Sequence, residues 1–200
     1  MRKQRTDNIR RLEDKVTTSL EVNIEPTTWK QAYGRVSNIQ YGNNIKWMNH
    51  QILRGCLTTN YLLCKMRILN SNLCTFCKSE PETIKHLLWD CPWSRDYLNA
   101  FQTRMQALNI DFDIGFNPLN AYGREIFFFG DETQGNTQIV NYLADQAKRY
   151  IWVSRCNDKK PSLAAGMNSL KNAIRIDKSL ARVKKNHDFL VTLADRMGIG

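Results

Sequence analysis

Three cysteines and one histidine between residues 74 and 91 are the side chains in this sequence best placed to do chemistry. They are Cys74, Cys77, His86 and Cys91, spaced Cys-x2-Cys-x8-His-x4-Cys. A Cys-x2-Cys pair presents two thiolates from one tight turn, and the N–H groups of that turn can spread the sulfurs' charge. Pro81 lies in the eight-residue excursion. Glu82 and Thr83 then lead into a short helix, Ile84 to Trp89, that aims His86 back at the pair, and Pro92 ends this helix beyond Cys91. Three thiolates and one imidazole make a closed tetrahedral set for Zn2+. Soft sulfur ligands disfavour magnesium and calcium, and the histidine argues against a four-cysteine iron–sulfur cluster. With all four positions taken by protein, no site remains for an activated water, so the expected zinc is structural.

The elements that must position this set are mainly α-helical, so the expected fold is a helical domain with an embedded small CCHC zinc-binding module. Residues 1–25 form a basic N-terminal arm, either loose or a surface helix. Residues 26–71 read as a helical connector, 72–95 as the zinc module and 96–200 as a C-terminal helical region. Thr27 or Thr28 caps a helix over Trp29–Val36. A second covers Ile45–Arg54, with Trp47, Met48 and Ile52 available for burial, and Thr59 caps a third. Tyr97, Leu98, Phe101, Met105 and Leu108 recur at helical spacing, as do Ile139, Leu143, Ala147, Tyr150 and Ile151. Leu163, Met167, Leu170 and Ile174 mark a further stripe, and Phe189, Leu190, Leu193 and Met197 another. Gly115, Pro118, Gly123 and Gly130 break residues 111–131, where Ile126–Phe129 reads as a short buried strand or an irregular core plug. No internal repeat is visible.

Charge divides the chain. The net charge of +10 resolves into +7 over residues 1–95, −5 over 96–147 and +8 over 148–200. Two basic regions flanking an acidic one suit a polyanion bound through release of condensed counterions. No apolar run approaches the length of a membrane span and no signal sequence is visible, so no membrane partner is expected. Cys56 and Cys64 read as small buried residues, and all six cysteines fit a reducing compartment. His50 and His187 have no second ligand nearby and read as ordinary surface residues.

The stretch from Gln51 to Leu98 resembles the zinc-binding region downstream of the reverse transcriptase in non-LTR (LINE-type) retrotransposon polyproteins. The resemblance is carried by Leu57-Thr58-Thr59-Asn60, Lys65-Met66, Leu73-Cys74-Thr75-Phe76-Cys77, Glu82-Thr83-Ile84, His86-Leu87-Leu88-Trp89 and Cys91-Pro92. It extends to about residues 40–185 through Phe129-Gly130, Ala147-Lys148-Arg149-Tyr150-Ile151-Trp152, Arg155-Cys156 and Lys160-Pro161-Ser162-Leu163. Position 98 is Leu where many relatives carry a closing Trp, although Trp93 is near in sequence.

The resemblance implies an intracellular, nuclear and cytoplasmic protein whose upstream partner is the reverse transcriptase domain. It implies a non-catalytic module that holds element RNA or target DNA during target-primed reverse transcription. No polymerase or endonuclease signature occurs in the chain. Candidate contacts to RNA and/or DNA are Arg54, Lys65, Arg67, Lys78 and Lys85 around the metal, and Lys148, Arg149, Arg155, Lys159 and Lys160 beyond it. Trp93 or Trp152 would stack on unpaired bases if exposed. Two alternatives stand beside this reading. One is a protein-interaction domain docking on the polymerase through the acidic stretch 96–147 and its phenylalanines. The other is a nuclease using Asp111 and Asp113.

Overall fold

The computed structural model describes residues 2–39, 41–130, 137–184 and 188–199, with side chains described throughout these ranges except at 2–6 and 181–184. His187 and the acidic pair at 131–132 fall outside the described residues. Helices dominate: α1 (Arg2–Leu20), α2 (Pro26–Asn38), α3 (Asn43–Leu53), α4 (Asn60–Lys65), α5 (Pro92–Ala107), α6 (Ala121–Phe129), α7 (Thr137–Cys156), α8 (Leu163–Lys184) and α9 (Asp188–Arg196). Among the described residues, β-pairing is confined to a single antiparallel bridge, Leu73 to Pro81. Among the described residues, no helix is long and apolar enough to cross a membrane.

Local chemistry explains the helix ends. Pro26 and Pro92 occupy first-turn positions of α2 and α5, where proline's missing N–H costs nothing. Thr59 caps α4, its Oγ1 accepting from the Leu62 N–H. Asn120 caps α6 in the same way, accepting from the Gly123 N–H at 2.9 Å. That cap lets Ile126–Phe129 close a helix instead of the expected strand or plug. Its four residues are all buried at the end of α6.

Helix α7 is the central strut, buried along most of its length and packed against α3, α6, α8, α9 and the turn that carries His86. Helix α8 crosses α5 so closely at Gly166 that an added Cβ would lie 2.5 Å from the Tyr97 ring. Residues 1–25 contain α1, whose Val16 and Leu20 are buried in the common core along with Val22.

The loop after α5 differs most from expectation. Phe112 and Phe116 are buried, as are Phe127, Phe128 and Phe129. Phe101 meets Phe112 edge-on at 5.6 Å, and Phe116 meets Phe127 at 5.4 Å. Edge-to-face contacts of this kind add to the area buried. The docking surface expected from these phenylalanines is therefore core. Trp47, expected to be available for burial, is 51% exposed. Cys56 and Cys64 are half-buried rather than buried, the Cys56 thiol donating to Gln51 Oε1 at 3.0 Å.

Candidate metal centre

The knuckle begins as an extended arm after α4. Leu73 bridges Pro81, the Cys74 N–H donates to the Glu80 carbonyl at 2.8 Å, and the Glu82 N–H donates to the Asn72 carbonyl at 2.7 Å. The Lys78 N–H closes the tip on the Cys74 carbonyl at 3.0 Å, with Lys78 itself in the left-handed region at φ 58°. This places the Cys74 and Cys77 sulfurs on one side of the turn. The chain then returns through Thr83, whose Oγ1 accepts from the His86 N–H at 3.0 Å. The expected short helix starts at Ile84 and continues through His86–Asp90 as a single π-helical turn, and the Cys91 N–H donates to the His86 carbonyl at 2.7 Å. The wider turn buries His86, Leu87, Leu88 and Trp89 together. A π-bulge of this type often marks a functional site.

The four ligand atoms converge. Those of Cys74, Cys77, His86 and Cys91 all lie within 4.8 Å of one another. The Cys74 and Cys91 sulfurs are 3.8 Å apart, and Cys77 Sγ lies 3.3 Å from His86 Nε2. A tetrahedral zinc with Zn–S near 2.3 Å and Zn–N near 2.0 Å requires edges of about 3.8 Å and about 3.6 Å. The spacing fits zinc. Three sulfur donors also disfavour oxygen-ligated cations such as magnesium and calcium.

The four side chains compete for protons. Contact with Cys91 and then burial push the Cys74 thiol up to about 12. Cys91 moves down, chiefly through its contact with Cys74, and the N–H groups of Trp93 and Ser94 in the first turn of α5 also face it. For Cys77, burial pushes the value up but is outweighed by several bonds together: the Ser79 hydroxyl, which donates to its sulfur at 3.2 Å, the Ser79 and Glu80 N–H groups, and His86, so the value falls. Burial lowers His86, but its contacts with the Cys74 and Cys77 sulfurs outweigh that and raise it to about 8. A divalent cation relieves this competition by replacing the protons.

The centre is bolted to α7. Glu82 is fully buried, and its Oε2 accepts from the Thr75 N–H at 2.7 Å inside the knuckle. Its Oε1 accepts from the Asn60 N–H and from Arg155 Nε, both at 2.9 Å. Arg155 Nη2 also donates to Asn60 Oδ1 at 2.6 Å, while Asn60 Nδ2 donates to the Leu73 carbonyl at 2.8 Å. Below the ligands, Trp89 packs on Phe116 and Phe127 and donates from Nε1 to the Asn117 carbonyl at 3.2 Å.

Residues 18–97 match the family described as zinc-binding in reverse transcriptase. All four ligands lie inside the matched span, so residues 18–97 carry a zinc-binding segment of the kind associated with reverse transcriptase, and zinc is its cofactor. That zinc-binding region begins before α2 and ends in α5, short of α7 and Arg155. No curated protein and no solved structure matches the chain.

The expected nucleic-acid contacts separate by environment. Arg54, Lys65, Arg67, Lys78, Lys159 and Lys160 are exposed, and Arg149 is half-buried. Lys160 Nζ sits 3.5 Å from the centroid of Trp93, which is 40% exposed two residues after Cys91. Three expected contacts fall elsewhere. Lys148 is fully buried, pairing with Asp145 at 2.8 Å and donating to Asn49 Oδ1 and the Phe127 carbonyl, each at 2.9 Å. Arg155 is taken up by Glu82, and its guanidinium also covers Trp152 at 5.1 Å. Lys85 is largely enclosed between Glu21 at 2.8 Å and Asp90 at 3.0 Å. Each of these charges is already neutralised inside the protein. Asp111 and Asp113 are exposed, with Asp113 accepting from Gln102.

Sequence reasoning missed Asn60, Glu82 and Asp145. Asn60 and Glu82 lie within the motifs that carried the resemblance, but they have no spacing rule of their own. Their roles depend on Arg155, many residues downstream.

Proposed function

We propose that this chain is a non-catalytic, zinc-stabilised nucleic-acid-binding module of a LINE-type reverse transcriptase, holding element RNA or target DNA during target-primed reverse transcription. The observation that carries this reading is a basic, aromatic rim around the knuckle. Lys78 projects from its tip and approaches Asp158 at 4.0 Å, so the turn after α7 lies against the metal site. That turn supplies Lys159 and Lys160, and Lys160 rests on Trp93. Flexible cations grouped with an exposed indole match the way single strands are held, through phosphate charge and base stacking. Phosphate contacts of this kind position a strand without reading its sequence. On this reading the chain works inside the cell, in nucleus and cytoplasm.

The test is fluorescence anisotropy of the zinc-loaded chain with single-stranded RNA and duplex DNA across a salt series. Binding should weaken steeply with salt. The triple variant K78Q/K159Q/K160Q should lower the magnitude of the log–log salt slope for a single strand by about 2. Salt-insensitive binding, or none at low salt, refutes it.

A second reading, docking on the reverse transcriptase itself, has its own observation. Tyr61, Met66, Ile68, Leu69 and Leu73 are all exposed on one segment beside the knuckle. A run of exposed apolar side chains is a protein-contact signature. Co-purification with the upstream polymerase segment in the absence of nucleic acid, abolished by Ile68→Asp, separates this reading from the first.

A further inference from the structure

A groove away from the knuckle runs between the start of α3, the middle of α7 and α8 and encloses about 330 Å³. Its walls include Asn44, Ile45, Gln146, Arg149, Asn172 and Ala173. Arg149 is half-buried there. Unlike Arg35, Lys85, Arg124, Lys148 and Arg155, it has no carboxylate within ion-pair distance among the described residues. A guanidinium partly withdrawn from water without a counter-charge suits an incoming anion. Asp177 also borders the groove, but it is buried and accepts from the Tyr142 hydroxyl at 2.8 Å.

The rest of the lining defines the ligand further. Asn44, Gln146 and Asn172 carry amides, each offering donors and an acceptor. A free phosphate needs donors alone, whereas the edge of a nucleobase presents both. Ile45 and Ala173, with the exposed Ile176 at the rim, supply an apolar surface for the flat face of a ring. The volume sits at the lower end of ligand sites, which run from about 300 to 1,000 Å³. That is room for a single nucleotide and not for a duplex.

We infer that this groove binds one unpaired nucleotide of a single strand, its phosphate on Arg149 and its base against Ile45, Ala173 and Ile176. The inference rests on the nucleic-acid reading and adds a second, separate point of attachment for the strand. It adds to the preference for single-stranded over duplex nucleic acid that base stacking at the knuckle rim supplies.

The experiment is NMR titration of the full zinc-loaded, nitrogen-15-labelled chain with adenosine 5′-monophosphate, adenosine and inorganic phosphate. The monophosphate should give saturable shifts at the amides of Gln146, Ser169, Asn172 and Ala173. Arg149→Gln should weaken that binding at least tenfold. Ala173→Met, which fills the groove without changing charge, should do the same, and matched thermal unfolding of both variants shows that they fold. Both should also reduce the ratio of single-strand to duplex affinity. Equal shifts with inorganic phosphate would overturn the nucleotide assignment in favour of a simple anion site. Absence of any shift would overturn the groove altogether. Salt-dependent polynucleotide binding by the unaltered chain would survive either result, so failure here is distinct from failure of the knuckle reading.

Discussion

Glu82→Gln is the most informative single substitution, because one buried carboxylate joins the knuckle, α4 and α7. Glutamine keeps the volume but not the charge. Its amide has one acceptor oxygen where three donors now converge: the Thr75 and Asn60 N–H groups and Arg155 Nε, at 2.7, 2.9 and 2.9 Å. Whichever way the amide turns, its NH2 faces at least one of these donors. Hydrogen bonds involving a charged group contribute about 1.5–3 kcal/mol each. Breaking a buried ion pair by removing one partner costs about 3–5 kcal/mol, mostly from the charge left behind. Arg155 would be that stranded charge, its side chain only 13% exposed. A total loss of about 3–5 kcal/mol is therefore expected, corresponding to roughly 10 °C in Tm for a chain of this size. Urea unfolding at saturating zinc measures it. Because Thr75 lies between the first two ligands, competition with a chromophoric chelator should also show about tenfold weaker zinc binding, in line with the loss of a partner that orients metal ligands. Arg155→Met combined with Glu82→Gln should cost less than the sum of the two single changes, since neither charge is then stranded. A loss under about 1 kcal/mol with unchanged zinc affinity would refute the clamp.

Chelation or Cys91→Ser should unfold the knuckle, since zinc supplies roughly 10–16 kcal/mol in comparable sites; loss of near-ultraviolet circular dichroism from Trp89 and Trp93 on adding chelator, restored by zinc, checks this. Asp145→Asn should cost about 3–5 kcal/mol at pH 7 by stranding Arg35 and Lys148. Burial works against the Asp145 charge, but Arg35 and then Lys148 overcome it and hold the carboxyl below its unfolded value of 3.8. Its contribution is therefore complete above that value and is lost as pH falls through the folded one, so the gap between parent and variant should close below about pH 4. Although burial draws Lys148 down to about 8, its amine is sealed from solvent and should react slowly with amine reagents, and Lys148→Met should leave the salt dependence of RNA binding unchanged while Lys160→Gln reduces it.

The residues alone determined the ligand set, because three thiols and an imidazole at that spacing have few other uses and because each pair is positioned by a short local turn. They also determined most helices, whose apolar periods and proline or threonine caps act within a few neighbouring residues. The π-helical turn could not be read the same way, since it goes with the packing of Trp89 on Phe116 and Phe127, which lie far along the chain. Ile126–Phe129 was ambiguous because four consecutive apolar residues carry no period, and only the Asn120 cap and burial on every side made them helical. Charge was the least legible property. Lys148, Arg149, Lys159 and Lys160 look alike in the sequence, yet one is sealed beside Asp145, one borders a groove and two face water. Whether a cation is spent on an internal carboxylate or left for a partner depends on long-range pairing. Arg155 with Glu82 and Arg35 with Asp145 show that only the packed tertiary structure decides it.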